Sequence, residues 1–164
     1  MPRVQAILFT MTTYGTWLRG DARGWVDKGV VFPPDPVLES ADRARMAHPE
    51  YRFPEDAWFQ VGQWVGKSLN ERLHASILAM TVQSWHVHIV AWAGEMVVGD
   101  FVKCTKDAVR WGLRLNRPIW GEGYDKRYCY NTAVVRARVE YVERHNLARG
   151  RPSKPWDFIV PWET

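Results

Sequence analysis

Residues 76–92 constrain this chain more than any other stretch. A β-branched apolar run over 86–92 follows a second apolar run over 76–82, with Gln83-Ser84-Trp85 between them as a turn. Two such runs joined by a short break read as a β-hairpin. Its later strand begins His86-Val87-His88. Successive side chains on a strand point to opposite faces, so both imidazoles leave the sheet on one side and Val87 anchors the other. Two imidazoles one strand-repeat apart can grip one divalent cation. The triplet by itself equally fits two hydrogen-bonded histidines in a half-buried strand.

The flanking segments predict what the hairpin packs against. Residues 4–13 form a strand candidate, followed over 14–25 by a glycine-bearing loop or short hairpin. Residues 29–56 hold Pro33, Pro34, Pro36, Pro49 and Pro54, which predicts a long connection with one short helix near 38–47. Connections that long are usually functional or mobile. Trp58, Val61, Val65, Leu69 and Leu73 recur at helical spacing within 56–75, an amphipathic helix. A second helix is expected over 96–115, burying Val98, Phe101, Val102, Thr105 and Val109. On it Lys103, Lys106, Arg110 and Arg114 fall at steps of three, four and four, one ridge with no acidic residue expected to share it. Short strands are expected over 119–123 and 125–130. A last helix over 133–145, capped by Asn131 or Thr132, buries Val135, Val139 and Val142. Residues 156–162 should pack back on the body. Strand, helix, hairpin, helix, strand, helix is an α+β order with an antiparallel sheet.

At 164 residues the chain reads as one domain spanning 1–164, large enough for a self-sufficient core. No segment approaches the roughly 20 apolar residues of a membrane span, and residues 1–4 show no signal-peptide pattern, so a cytoplasmic site is expected. Cys104 and Cys129 are too few and too far apart for a zinc motif or a disulfide framework. A net charge of +4 points weakly to a polyanionic partner, and a few exposed members of the 10 tryptophans could stack unpaired bases.

On the last helix Tyr141 and His145 stand at i and i+4 and share a face, with Arg138 a turn before them. Two strand histidines and a helix histidine would complete a three-ligand metal site with open positions. A tyrosine one turn away would sit against that ion. A divalent cation polarises a phosphodiester, and a tyrosine hydroxyl is a competent covalent nucleophile.

In these features the chain resembles the single-tyrosine HUH transposases of bacterial insertion sequences and their REP-associated relatives, HUH denoting His-hydrophobic-His. The resemblance runs over nearly the whole chain. It comprises Thr13-Tyr-Gly-Thr-Trp-Leu-Arg-Gly-Asp21, the hairpin Ala79-Met-Thr-Val-Gln-Ser-Trp-His-Val-His-Ile-Val90 and Pro118-Ile-Trp120. The helix Val139-Glu-Tyr-Val-Glu-Arg-His-Asn146 and the tail Trp156-Asp-Phe-Ile-Val-Pro161 complete it.

This resemblance implies a ferredoxin-like antiparallel sheet with packed helices, of the HUH endonuclease type. It also implies a metal-dependent DNA transposase that nicks and rejoins single-stranded or hairpin DNA, with Mg²⁺ or Mn²⁺ as cofactor and a homodimer as assembly. His86 and His88 match the metal-binding pair and Tyr141 the nucleophile. His145 falls where the family usually places Asn or Gln as third ligand. Ser84-Trp85 replaces the frequent Pro-Asn before the first histidine, so a polar helper is absent there. Tyr124, Tyr128 and Tyr130 compete with Tyr141 for the nucleophile role but lack its helical partner. Lys103, Lys106, Arg110, Arg114 and Arg138 are the expected nucleic-acid contacts. Two other readings stay open: a non-catalytic DNA- or RNA-binding module of the same fold, and a small metallohydrolase using the three histidines.

Overall fold

In the computed structural model, which describes residues 2–162, the elements follow in the order β1 (Ala6–Thr12), β2 (Trp25–Asp27), β3 (Val30–Phe32), α1 (Pro36–Arg45), α2 (Trp58–Leu73), β4 (Ile77–Val82), β5 (His86–Trp92), α3 (Val98–Leu113), β6 (Asp125–Cys129) and α4 (Thr132–Ala148). A 3₁₀ turn at Glu55–Ala57 leads into α2. The main sheet has the order β4-β5-β1-β6, and every neighbouring pair is antiparallel. The crossover from β1 to β4 through α2 and that from β5 to β6 through α3 each skip one strand. Crossovers of a single hand place both helices on the same face. This is the expected ferredoxin-like α+β arrangement.

Strand alternation then divides the core. Phe9, Met11, Val87 and Ile89 face α2 and α3, and Phe9 stacks on Phe101 of α3 with ring centroids 4.3 Å apart. Ala6, Leu8 and Val90 point the other way, onto Val135, Val139 and Val142 of α4. Each of those valines contributes roughly 1.5–3 kcal/mol relative to an exposed position. Asn131 caps α4, its Oδ1 accepting from the Val134 amide at 2.9 Å.

The C-terminal tail packs back as expected. The Trp156 and Phe158 rings lie directly on Gly62 and Gly66 of α2, where a Cβ would collide with them. Glycine inside a helix costs about 1 kcal/mol in propensity, and here it opens the groove that seats both rings. The Val160 amide donates to the Ile77 carbonyl at 2.8 Å, so the tail covers the outer edge of β4. No helix among the described residues is long and apolar enough to cross a membrane.

Several expectations need correction. The stretch around residue 29, read as irregular, contains the β2–β3 hairpin, turned by Lys28 and Gly29 at φ 49° and 79°. Both central residues in the left-handed region make a turn that matches strand twist. The segment 119–123 forms only a single bridge, Thr13 to Trp120. Helix α3 is shorter than 96–115 because Arg114 takes a left-handed conformation at φ 52° and caps the helix through its amide to the Arg110 carbonyl.

Candidate active site

Register places the first parts of the site. Thr12 and Thr10 of β1 lie opposite His86 and His88 of β5, and Thr81 of β4 lies opposite His88 from the other side. All five side chains therefore share the α4 face of the sheet. Residue 145 of α4 comes down over them. The ring centroid of His145 is 5.9 Å from His86 and 5.0 Å from His88, and the two strand rings are 4.5 Å apart. One nitrogen from each ring can be chosen so that all three lie within 4.8 Å of one another.

Hydrogen bonds orient two of the rings. His145 Nδ1 donates to the Tyr141 carbonyl at 2.8 Å, which leaves its Nε2 lone pair free. His88 Nδ1 pairs with the Thr10 hydroxyl at 2.8 Å. His86 differs: its Nδ1 is buried and has no partner. Burial, and then the neighbouring His145 and Arg23, pushes His86 down to about 3. Burial, then His86 and His145, pushes His88 down to about 2. Both strand rings are therefore neutral donors at physiological pH. An orphaned buried nitrogen beside neutral imidazoles is the donor set a cation requires.

Tyr141 occupies the rim of this cluster. Its ring is 4.8 Å from His145 and 5.5 Å from His88, and the residue is 36% exposed. Tyr128 pairs with Ile7, whose side chain belongs to the α2–α3 face, so it points away from the histidines. Tyr130 lies beyond the end of β6 and neighbours Tyr128, with rings 6.3 Å apart.

The position of α4 rests on a buried polar chain that periodicity should have revealed. Val135, Val139, Val142 and Asn146 recur at steps of four, three and four, so Asn146 belongs to the buried stripe, and it is 0% exposed. Its Oδ1 accepts from the Thr81 hydroxyl at 2.7 Å, and its Nδ2 donates to the carbonyls of Met80 at 2.9 Å and Ser153 at 3.3 Å. Gln83 donates to Thr81 at 2.8 Å, and Arg149 donates to Gln83 at 3.2 Å. This chain fixes the C-terminal half of α4 to β4, with His145 next to the anchor.

The remaining expected residues are dispersed. Lys103, Lys106 and Arg110 sit on α3, across the sheet from the histidines, with Arg114 at its C-cap. Their ridge is not free of acid. Asp107 falls between them in the helical repeat, accepting from Lys103 at 2.6 Å and from Arg110 at 2.7 Å. Lys106 is half-buried and donates to the carbonyls of Gly121 and Gly123 at 3.1 and 2.8 Å. Burial, and secondarily Arg110, pushes its ammonium down. Arg138 lies on α4 towards Cys129, where burial pushes the thiol up and the Arg138 charge partly offsets it.

Beside His86 lies a group that the sequence reading left without a role. The Arg23 guanidinium lies 3.8 Å from the centroid of Trp17 and 4.9 Å from that of Trp85. Asp21 accepts from Arg23 Nε and Nη2 at 2.8 and 2.7 Å. The Trp85 ring is 4.0 Å from the His86 ring.

No family profile matches the chain, and no curated protein does. Among solved structures, the fold is similar to a REP-associated tyrosine transposase bound to a REP hairpin. That match has a TM-score of 0.53 at 13% identity, covering 99% of this chain and 92% of the other. The likeness extends over both chains almost completely, and it is one of fold.

Proposed function

We propose that this chain is a metal-dependent transposase that cuts and rejoins single-stranded DNA, with Tyr141 as nucleophile. The observation that carries the reading is the placement of a half-exposed tyrosine on the rim of three clustered histidines. The fold shared with a transposase bound to hairpin DNA supports hairpin DNA with a single-stranded flank as the partner.

His86, His88 and His145 would hold the cation, whose role when bound is to polarise the scissile phosphate and offset its developing charge. An all-imidazole set favours Mn²⁺ over Mg²⁺, which prefers oxygen ligands. The Tyr141 oxygen attacks phosphorus and gives up its proton. The bond from phosphorus to the 3′ oxygen breaks, and that oxygen leaves as a hydroxyl after taking up a proton. The product is a 5′-phosphotyrosine, so the bond energy is retained and no nucleotide is consumed. Rejoining reverses the step with an incoming 3′-hydroxyl. Lys103, Arg110, Arg114 and Arg138 are proposed phosphate contacts outside the reacting centre, whereas Lys106 is tied to the loop carbonyls. A homodimeric assembly and a cytoplasmic site belong to this proposal.

The test is a denaturing gel of protein incubated with hairpin oligonucleotides bearing single-stranded flanks and Mn²⁺. A covalent band is expected with the wild type and none with Tyr141→Phe, which should still bind DNA. A band that persists in Tyr141→Phe and disappears in Tyr128→Phe or Tyr130→Phe would reassign the nucleophile. No band from the wild type with any hairpin would leave a binding module.

A further inference from the structure

The group formed by Trp17, Asp21, Arg23 and Trp85 has no part in the chemistry above, yet it abuts it. Arg23 ties the group together, although its side chain remains 44% exposed. Its Nε and Nη2 bind Asp21, Nη2 also donates to the Thr16 carbonyl at 2.8 Å, and its guanidinium carbon lies over both indoles. The Asp21 carboxylate, itself held low chiefly by its hydrogen bond to Arg23, partly offsets that charge. Such an arginine is well placed to hold two rings rigid.

What the cluster presents outward is aromatic surface. Trp17 is 38% exposed, and its one polar side-chain atom, Nε1, is already donating to the Gly24 carbonyl at 2.8 Å. Its ring lies 5.7 Å from that of half-buried Trp85, which touches His86. The rings of Trp17, Trp85, His86, His88 and Tyr141 thus form one continuous strip leading to the reacting centre. An indole that cannot donate a hydrogen bond outward, held stiff from behind, offers a stacking face and little else. A nucleobase has a complementary π-face, and stacking of that kind tolerates any base.

We infer that Trp17, braced by Arg23 and Trp85, is a stacking shelf for an unpaired base of the single strand that passes the histidines. The inference rests on the single-stranded-DNA reading of this face and deepens it. Trp17 is a binding residue, and Arg23 and Asp21 are positioning residues.

The test compares two strands of about a dozen units, within the range of known single-strand site sizes. One is oligothymidylate and the other is the same backbone with every base removed. Binding is followed by fluorescence anisotropy with the full chain and no added metal, so that cleavage plays no part. The wild type should prefer thymidylate. Trp17→Ala should weaken thymidylate binding by roughly five- to a hundred-fold, the range for one lost base stack. It should leave the abasic strand and the salt slope of binding unchanged, because no phosphate contact is removed.

Trp17→Leu retains apolar bulk against Arg23 and should behave as Trp17→Ala does, which covers a folding defect in the alanine variant. Equal losses on both strands, or no loss, would overturn the shelf. So would a wild type that does not distinguish the strands, an outcome that needs no variant. The two readings fail separately. Base-dependent binding lost in Trp17→Ala would stand without any covalent adduct, and an adduct from the wild type would stand without a Trp17 effect.

Discussion

Replacing Asn146 tests whether a buried polar chain, more than the valine stripe, sets the position of α4. In Asn146→Ala the Met80 carbonyl loses its side-chain donor and the Thr81 hydroxyl loses its acceptor, in a site with 0% exposure. A buried polar group left unpaired costs about 1–3 kcal/mol, and the void adds to this because the surroundings relax only partly. Thr81 keeps the bond from Gln83, which holds its share near the lower end. The expected total is about 3–5 kcal/mol. For a chain of this size each kcal/mol moves the melting point by about 2–4 °C. The predicted fall is therefore roughly 6–20 °C. Asn146→Leu fills the space without restoring the bonds and should recover only the part due to the void. The measurements are thermal and urea unfolding, with amide exchange along α4. Exchange should accelerate first in the C-terminal half, where His145 and the anchor lie. A loss below about 1 kcal/mol, the net worth of a single ordinary hydrogen bond, would refute the reasoning and return the positioning of α4 to its apolar contacts.

Metal addition is the next prediction. Mn²⁺ at about a hundred times its dissociation constant should stabilise the chain by about 2.7 kcal/mol. Calorimetry should show the corresponding upward shift, small with Mg²⁺ and absent in His86→Ala. An equal shift in His86→Ala would place the ion elsewhere. For the α3 ridge, Lys103→Ala with Arg110→Ala should lower the slope of log affinity against log salt by about one to two. The double replacement also leaves Asp107 unpaired. An unchanged slope would mean that Asp107 already neutralises the ridge.

What could be read in advance followed from local period. The hairpin was legible because two apolar runs flank a short break, and alternation alone put His86 and His88 on one face. The i, i+4 relation of Tyr141 and His145 survives in the structure for the same reason. Four things were missed, each with a physical cause. The β2–β3 hairpin has strands of only three residues, too short for alternation to register among surrounding prolines and glycines. Asp107 shares the helical repeat of Lys103 and Arg110, but a count of basic residues alone passes over it. Asn146 is polar and follows a histidine, so it resembles surface, although its spacing from Val142 puts it in the core. The Trp17–Arg23–Trp85 group was out of reach, because nothing local relates a loop after β1 to the turn before β5.

The tail that covers β4 has a consequence for how the chain is made. An unpaired strand edge is a template on which another chain can add. During synthesis every strand of the sheet is made before Trp156, Phe158 and Val160 exist to shield Ile77. The nascent sheet therefore has a bare β4 edge until those residues arrive. The opposite edge is guarded throughout by the charged side chains of Asp125, Lys126 and Arg127 on β6. β4 is buried along its whole length and carries no charge of its own. Association of incomplete chains would therefore start at β4, and the glycine groove on α2 is what draws the shield into place.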